Sequence, residues 1–525
     1  MSGARSITDK GGIKIMPEDR RFASLSRGFN PRWTSHPQYV RLVRTSEEVV
    51  HALQQAVDEP SPADLRTRIT VRSGGHCYED FVCAEDVRVI IDVSLMNNIY
   101  EDRGMICVEA GATNGDLRKR LFLLTGKALP GGSCPSVGIG GHVPAGGFGL
   151  LSRQFGLTVD YLHAVEIAVV DKDGKVSLET VSRDQKNSDP DRYGLWWANT
   201  GGGGGNFGIV TKFWFKGLPD APERVLFVAS GWEWADMRQE HFTQIIENFG
   251  EFFASGAAAD PEQYGPLFGI LLLTHRSKKK VGLIAQIDAG LPNAGQRMDA
   301  FRRAMRGDVP IGLADLDEAY GEYAALSGLA EPKPLPWDSA EKLLGPVDNL
   351  RCGKHKSAYM LDRMPGEQIE ALWRALALEK DGIERDAVVQ IDSYGAAINT
   401  VPVEDTAVAQ RSSILKLQHQ IYWPVDKDGT DHLRWIRKLY QDMYAATGGV
   451  PASPAPARPS VTDGCYIGYP DVDLNDRPGE EIDRWSTLYY GSHYEALQRV
   501  KDRWDPRDIF RHQQSIELPP QRLAR

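Results

Sequence analysis

Apolar positions in the first 215 residues switch repeatedly between a four-residue and a two-residue recurrence. Thr45-Ser46-Glu47-Glu48 reads as a capping box, and Val49, Leu53 and Val57 behind it line one face of a helix. Arg68 to Arg72 sets Ile69 and Val71 on one face and runs straight into Ser73-Gly74-Gly75. Val87 to Val93 is nearly all β-branched, the pattern of a strand covered on both faces. Ile106 to Ala110 reads as another strand. Val165 to Val170 reads as a strand entering a hairpin at Asp171-Lys172-Asp173-Gly174, and Gly208 to Phe215 as the strand that closes this half. These elements predict an α+β domain whose chemistry lies in its turns.

Residues 216–454 have another texture. A helical segment from Trp232 to Phe253 precedes strands at Leu267–Leu273 and Val281–Ile287. A helix near Gln296–Met305 follows, then strands at Ala387–Ile391 and Ile414–Trp423 and a helix from His432 to Tyr444. This predicts an antiparallel sheet backed by helices. The Pro-rich stretch from Pro451 to Pro459 reads as a linker, and no internal repeat is visible.

A chain of 525 residues exceeds one ordinary core, so two domains are expected. The net charge of −10, without a basic stripe, argues against a nucleic-acid partner. The first residues lack the apolar core of a secretory signal, and the apolar run Leu267–Leu273 is too short to cross a bilayer, so a cytoplasmic protein is expected. Cys77, Cys83, Cys107, Cys352 and Cys465 read as reduced, mostly buried thiols. His142, His163 and His355 lack metal-ligand spacing, and Asp471 and Asp473 read as turn caps rather than a catalytic pair.

Glycine pairs and runs recur at Gly74-Gly75, Gly131-Gly132, Gly138 to Gly141, Gly146-Gly147 and Gly201 to Gly205. Such turns let backbone N–H groups approach a phosphate closely. No helix-opening G-x-G-x-x-G is followed by an acidic residue at the expected distance, so a Rossmann site is disfavoured, as is a Walker lysine. Two nucleophilic side chains, His76 and Cys134, end or sit in these turns.

Arg72-Ser73-Gly74-Gly75-His76, the loop Pro130 to His142 around Cys134, Gly201 to Gly208, and Asp505-Pro506 with Ile509-Phe510-Arg511-His512 together resemble the berberine-bridge-enzyme-like flavoproteins of the vanillyl-alcohol-oxidase superfamily. The likeness extends over nearly the whole chain and is strongest to bicovalent oxidases of antibiotic pathways. It implies a two-domain FAD-binding fold: residues 1–215 and 455–525 would form the flavin domain, with 216–454 inserted as a substrate domain. It further implies FAD bound covalently through His76 and Cys134, within a shell of Arg72, Ser73, Gly74, Gly75, Gly132, Val137, Gly138, Gly140, Gly141, His142, Gly205, Asn206, Gly208, Ile209 and Val210.

Oxidation of an alcohol or amine needs a basic group facing the flavin. The segment Cys465 to Leu474 resembles the family's segment with a catalytic tyrosine, which maps to Tyr469. Lys416, Gln418 and Gln420 share one face of a strand, and Lys416 is the expected cation that lowers the Tyr469 pKa. Tyr359 matches a second active-site tyrosine, and Tyr444, Tyr466, Gln418, Gln420 and Phe148 are expected at the substrate pocket. Two departures stand out. Gly468 replaces a common Asn, and Phe148 replaces an aromatic hydroxyl. Val137, three residues after Cys134, matches the small oxygen-gating residue of the family. The resemblance thus implies an oxidase of an alcohol or amine on a sugar-bearing or decorated natural product. Dioxygen is the acceptor and hydrogen peroxide the by-product, and a hydrated product can rebind for a second oxidation. Oxidative cyclisation or desaturation is the alternative chemistry, and a non-redox ligand-binding role the alternative class. The oligomeric state is not legible.

Overall fold

The computed structural model describes residues 6–59, 68–345, 351–378, 383–454, 459–475 and 484–520. Its strands form three sheets among the described residues. In the first, β1 (Ser6–Asp9), β2 (Gly12–Ile15), β3 (Tyr39–Leu42), β5 (Val87–Asp92) and β4 (Arg68–Arg72) lie in that order. The strand β5 runs parallel to both neighbours and is buried along its whole length, as its β-branched run predicts. The helix Ser46–Asp58 connects β3 to β4. Its cap differs from the expected box in one partner: Thr45 accepts the Glu48 amide as predicted, but the Glu48 carboxylate turns back to the Arg44 amide at 2.7 Å.

The second sheet is antiparallel, in the order β6 (Ile99–Asp102), β7 (Met105–Glu109), β10 (Ile209–Phe215), β8 (Leu162–Val170) and β9 (Val176–Ser182). The third sheet is larger. It runs β14 (Ala314–Asp315), β11 (Arg224–Glu233), β13 (Lys280–Asp288), β12 (Phe268–Thr274), β17 (Asp386–Ser393), β18 (Leu415–Pro424) and β16 (Arg351–Met360), with β15 (Lys333–Pro336) also paired to β11. All its pairings are antiparallel, and helices such as Gln239–Ala254, Ala294–Arg306 and Thr430–Met443 accompany it.

One expected element starts too early. Trp232 and Glu233 end β11, paired with Val281 and Lys280, and the helix begins only at Gln239. Cross-strand pairing has overridden the helical period there. Within the proline-rich stretch, residues 455–458 lie outside the described residues.

The C-terminal segment returns to the first half of the chain. Buried Lys501 donates to the Asn206 carbonyl at 2.9 Å and to Asp505 at 2.6 Å, and the Ile516 amide donates to the Asn206 side chain at 2.9 Å. This fastens the tail to the glycine run Gly201–Gly205 and leaves a cleft between the loops and the third sheet.

Candidate active site

The two loops after β4 and around Cys134 touch backbone to backbone. A Cβ at Gly74 would stand 2.3 Å from the Gly138 nitrogen, and one at Gly138 would stand 2.1 Å from the Gly74 nitrogen. Only glycine at both positions permits that approach. The Ser73 hydroxyl donates to the Ala110 carbonyl at 2.7 Å, and the Asn114 amide donates to the Val137 carbonyl at 2.9 Å, so both loops are pinned to the same sheet edge. The His76 ring is stacked on Phe29 with centroids 4.5 Å apart. Burial and the nearby Glu322 carboxylate push the Cys134 thiol up, while Ser136 Oγ lies 3.6 Å from its sulfur.

His142 holds the Cys134 loop from inside. The Gly132 amide donates to its Nε2 at 3.0 Å. Burial, aided by Lys416 and Arg118, pulls the imidazole down to about 4, so it is a neutral acceptor at physiological pH.

These loops form one wall of a cleft of about 290 Å³. Ser73, Gly74, Gly75, His76, Gly132, Cys134, Val137, Gly138, Gly140, Gly141, His142, Gly205, Asn206, Gly208 and Val210 line it, together with Phe148, Gln418, Tyr466 and Tyr469. Six residues expected at the site do not reach the wall. Arg72 turns to Asp92 at 2.6 Å beneath the His76 turn, and Ile209 is fully buried in β10. Tyr359 stands edge-on to Tyr394 at 5.1 Å, behind Tyr466. Gln420 is a layer back, donating to Gln390 at 3.3 Å, with its Oε1 lying 3.0 Å from the Tyr422 hydroxyl oxygen. Tyr444 is fully buried against Tyr440, centroids 4.9 Å apart.

The sixth is Lys416, which is fully buried beneath the wall. Its ammonium lies 3.9 Å from the Tyr469 ring centroid, 4.8 Å from that of Tyr466 and 4.7 Å from that of Phe148. Its nearest counter-charge is Asp392 at 3.8 Å, and it makes no hydrogen bond. Burial pulls its pKa down to about 8. The expected depression of the Tyr469 pKa is not observed: burial, with Tyr78 and Asp392 adding, holds that hydroxyl well above its ordinary value. The ammonium meets the ring's π face, where it does not bond the phenolic oxygen.

Sequence reading missed the rest of this wall. Tyr78, Glu322, Tyr323, Gln390 and Asp392 all line the cleft. Tyr78 stacks face to face on His355 at 3.6 Å. Asp471 does cap its turn, accepting the Asp473 amide at 3.1 Å. Both carboxylates also enter a buried ionic cluster: Lys354 meets Asp471 at 2.6 Å and also pairs with Glu79, and Lys356 meets Asp471 at 2.7 Å and Asp473 at 2.8 Å. That cluster ties three segments together: the loop carrying His76, strand β16 and the loop carrying Tyr469.

Residues 37–178 match a family described as FAD binding domain, and residues 465–517 one described as berberine and berberine like. Aclacinomycin-N/aclacinomycin-A oxidase of Streptomyces galilaeus is 39% identical over 97% of this chain and 90% of its own. Hexose oxidase of Chondrus crispus is 35% identical over 95% and 93%. The chain is a berberine-bridge-like FAD oxidase. Among solved structures, this oxidase superposes on a flavoenzyme of caerulomycin biosynthesis with a TM-score of 0.87 and 36% identity, over 98% of this chain and 100% of the other. A glycopeptide hexose oxidase complexed with teicoplanin gives 0.85 and 34%, again over 98% and 100%.

The cleft of the oxidase fits FAD on its own geometry. A Cβ at Gly141 would meet nothing within 4 Å, and one at Gly205 nothing nearer than 3.9 Å, so both glycines leave room on the cleft wall. Asn114 Nδ2 and His512 Nε2 are buried at the cleft without a hydrogen-bond partner among the described residues. Polar atoms so placed suit a ligand rich in phosphate and ring heteroatoms. All six cysteines are free thiols, no helix among the described residues is long and apolar enough to cross a membrane, and no described cluster could hold a metal.

Proposed function

We propose that this oxidase attaches FAD at two points, through His76 and Cys134, and oxidises an alcohol or amine on a sugar-bearing natural product. The observation that supports the reading is the mutual contact of the Gly74 and Gly138 backbones, with His76 and Cys134 both among the residues lining the same cleft. Relatives named for aclacinomycin and hexose oxidation, and the teicoplanin complex of a third, support the substrate class. FAD, when bound, supplies a two-electron acceptor that returns its electrons to dioxygen.

The chain's own residues do the remaining work. Tyr469 takes the proton from the substrate hydroxyl or amine, since it is the cleft-wall phenol nearer the Lys416 ammonium, 3.9 Å against 4.8 Å for Tyr466. Lys416 favours the ionised form of Tyr469 by its charge, and Asp392 holds Lys416 in place. Phe148 and Tyr466 exclude water from that ammonium. Val137 leaves a small side chain beside Cys134 where dioxygen would approach. Residues 1–215 and 455–525 serve the flavin, and 216–454 the substrate.

The test is anaerobic titration with glycosylated metabolites. A substrate is expected to bleach the flavin absorbance, give a product lighter by two hydrogens, and release peroxide when air returns. A yellow protein that no glycoside or alcohol bleaches would remove the oxidase reading.

A further inference from the structure

Glu322 is a cleft carboxylate that the reaction above leaves without a task. It sits at the tip of a tight turn closed by reciprocal backbone hydrogen bonds between Tyr320 and Tyr323, at 3.0 and 2.9 Å, with Gly321 at φ +58°. Both tyrosine hydroxyls that reach it bond the same oxygen: Tyr78 donates to Oε1 at 3.1 Å and Tyr422 at 2.8 Å. Its other oxygen, Oε2, makes no hydrogen bond or ion pair among the described residues, although the side chain lines the cleft.

The nearby cations have partners of their own, and of these Arg351 also acts on Glu322 through its charge. Lys416 faces Asp392 at 3.8 Å, and Arg351 pairs with Asp386. The groups that hold Glu322 are rigid: Tyr78 is stacked on His355, and the Arg351 guanidinium covers the Tyr422 ring at 4.4 Å. The carboxylate is therefore preorganised on the cleft lining, with Oε2 left without a partner among the described residues.

We infer that Glu322 selects substrates carrying an ammonium, received at Oε2, so that the preferred substrate is an amino-sugar glycoside. This rests on the cleft being the substrate site. A hydroxyl could fill the same hydrogen bond, but it would leave a desolvated negative charge uncompensated, whereas an ammonium supplies both the donor and the counter-charge. Burial holds the Glu322 carboxyl above the ordinary range, outweighing the opposing pull of the Tyr422 and Tyr78 hydroxyls and of Arg351.

The experiment uses three glycosides of one aromatic aglycone, bearing an amino, an N-acetylamino or a hydroxyl group at the same sugar position. With flavin-loaded wild type, kcat/KM is expected to be at least about tenfold higher for the amine than for either neutral compound, mostly through KM. Glu322→Gln is expected to erase that preference. Equal kcat/KM for all three in the wild type, or a preference that survives in Glu322→Gln, overturns the inference. If the variant does not fold, the wild-type comparison of the amine with its N-acetyl form still decides. Failure of all three to bleach the flavin instead removes the underlying oxidase reading, so the two failures are distinct.

Discussion

The two walls of the cleft are built on opposite principles. On the flavin side the determining feature is missing atoms: Gly74 and Gly138 let two loops meet because neither carries a Cβ. On the substrate side it is side chains that interlock: Lys416 under three aromatic rings, Tyr78 on His355, and Lys354 and Lys356 between Asp471 and Asp473. A loop contact made by glycine depends on one feature, the absence of a Cβ, whereas an interlocked wall depends on several groups whose roles can be tested one at a time. On the proposed function the first wall would hold the cofactor, and the second is where chemistry and specificity would diverge.

The largest effect is expected at the interlocked wall. Tyr469→Phe is predicted to keep the flavin and lose about 10²- to 10⁴-fold in kcat, the usual contribution of a general base. Full turnover in that variant would mean that the base lies elsewhere on the wall. Asp471→Asn removes a shared partner from two buried ammonium groups, and a loss of about 3–5 kcal/mol in unfolding free energy is expected by denaturant titration. Loss of less than about 1 kcal/mol would mean that the cluster is wetter than its burial suggests.

The same contrast explains what the sequence disclosed. The flavin wall is legible because glycine runs are local, dense and few in kind, and because β5 and β10 carry plain strand patterns. The substrate wall is not. Its strand β16 holds Lys354, His355, Lys356 and Ser357 in succession, a polar run without alternation, yet every residue after Arg351 is buried. Ion pairs between residues more than a hundred positions apart give it that burial, as between Lys356 and Asp471, and such pairings leave no local trace. Asp471 and Asp473 looked like turn caps, and one is. Tyr359 and Tyr444 are expected at the site by likeness of segment and Gln420 by its strand period, but neither signal says which layer a side chain occupies.

Smaller effects test the glycine-built wall and the coupling between the two. Gly138→Ala places a Cβ 2.1 Å from the Gly74 nitrogen and is expected to cost about 1–3 kcal/mol and to reduce flavin incorporation, measured by visible absorbance per protein. Unchanged incorporation would mean that the loops can part without consequence.

The last is a pH dependence. Tyr469 must lose its proton to act as base, and its pKa is held above the ordinary 10, so kcat/KM should rise with pH. Lys416 is charged only below about 8, where it favours the Tyr469 anion, so Lys416→Met should lower kcat/KM below that pH and leave the alkaline rise in place. An unchanged kcat/KM below that pH would confine Lys416 to packing.

The most direct test of the whole account is the intact mass of the denatured protein. Wild type is expected to carry one FAD that denaturation cannot remove, His76→Ala and Cys134→Ala each to retain it through the remaining anchor, and the double replacement to release it entirely. A wild-type chain of bare polypeptide mass, with all its flavin in the supernatant, would contradict the two-point attachment.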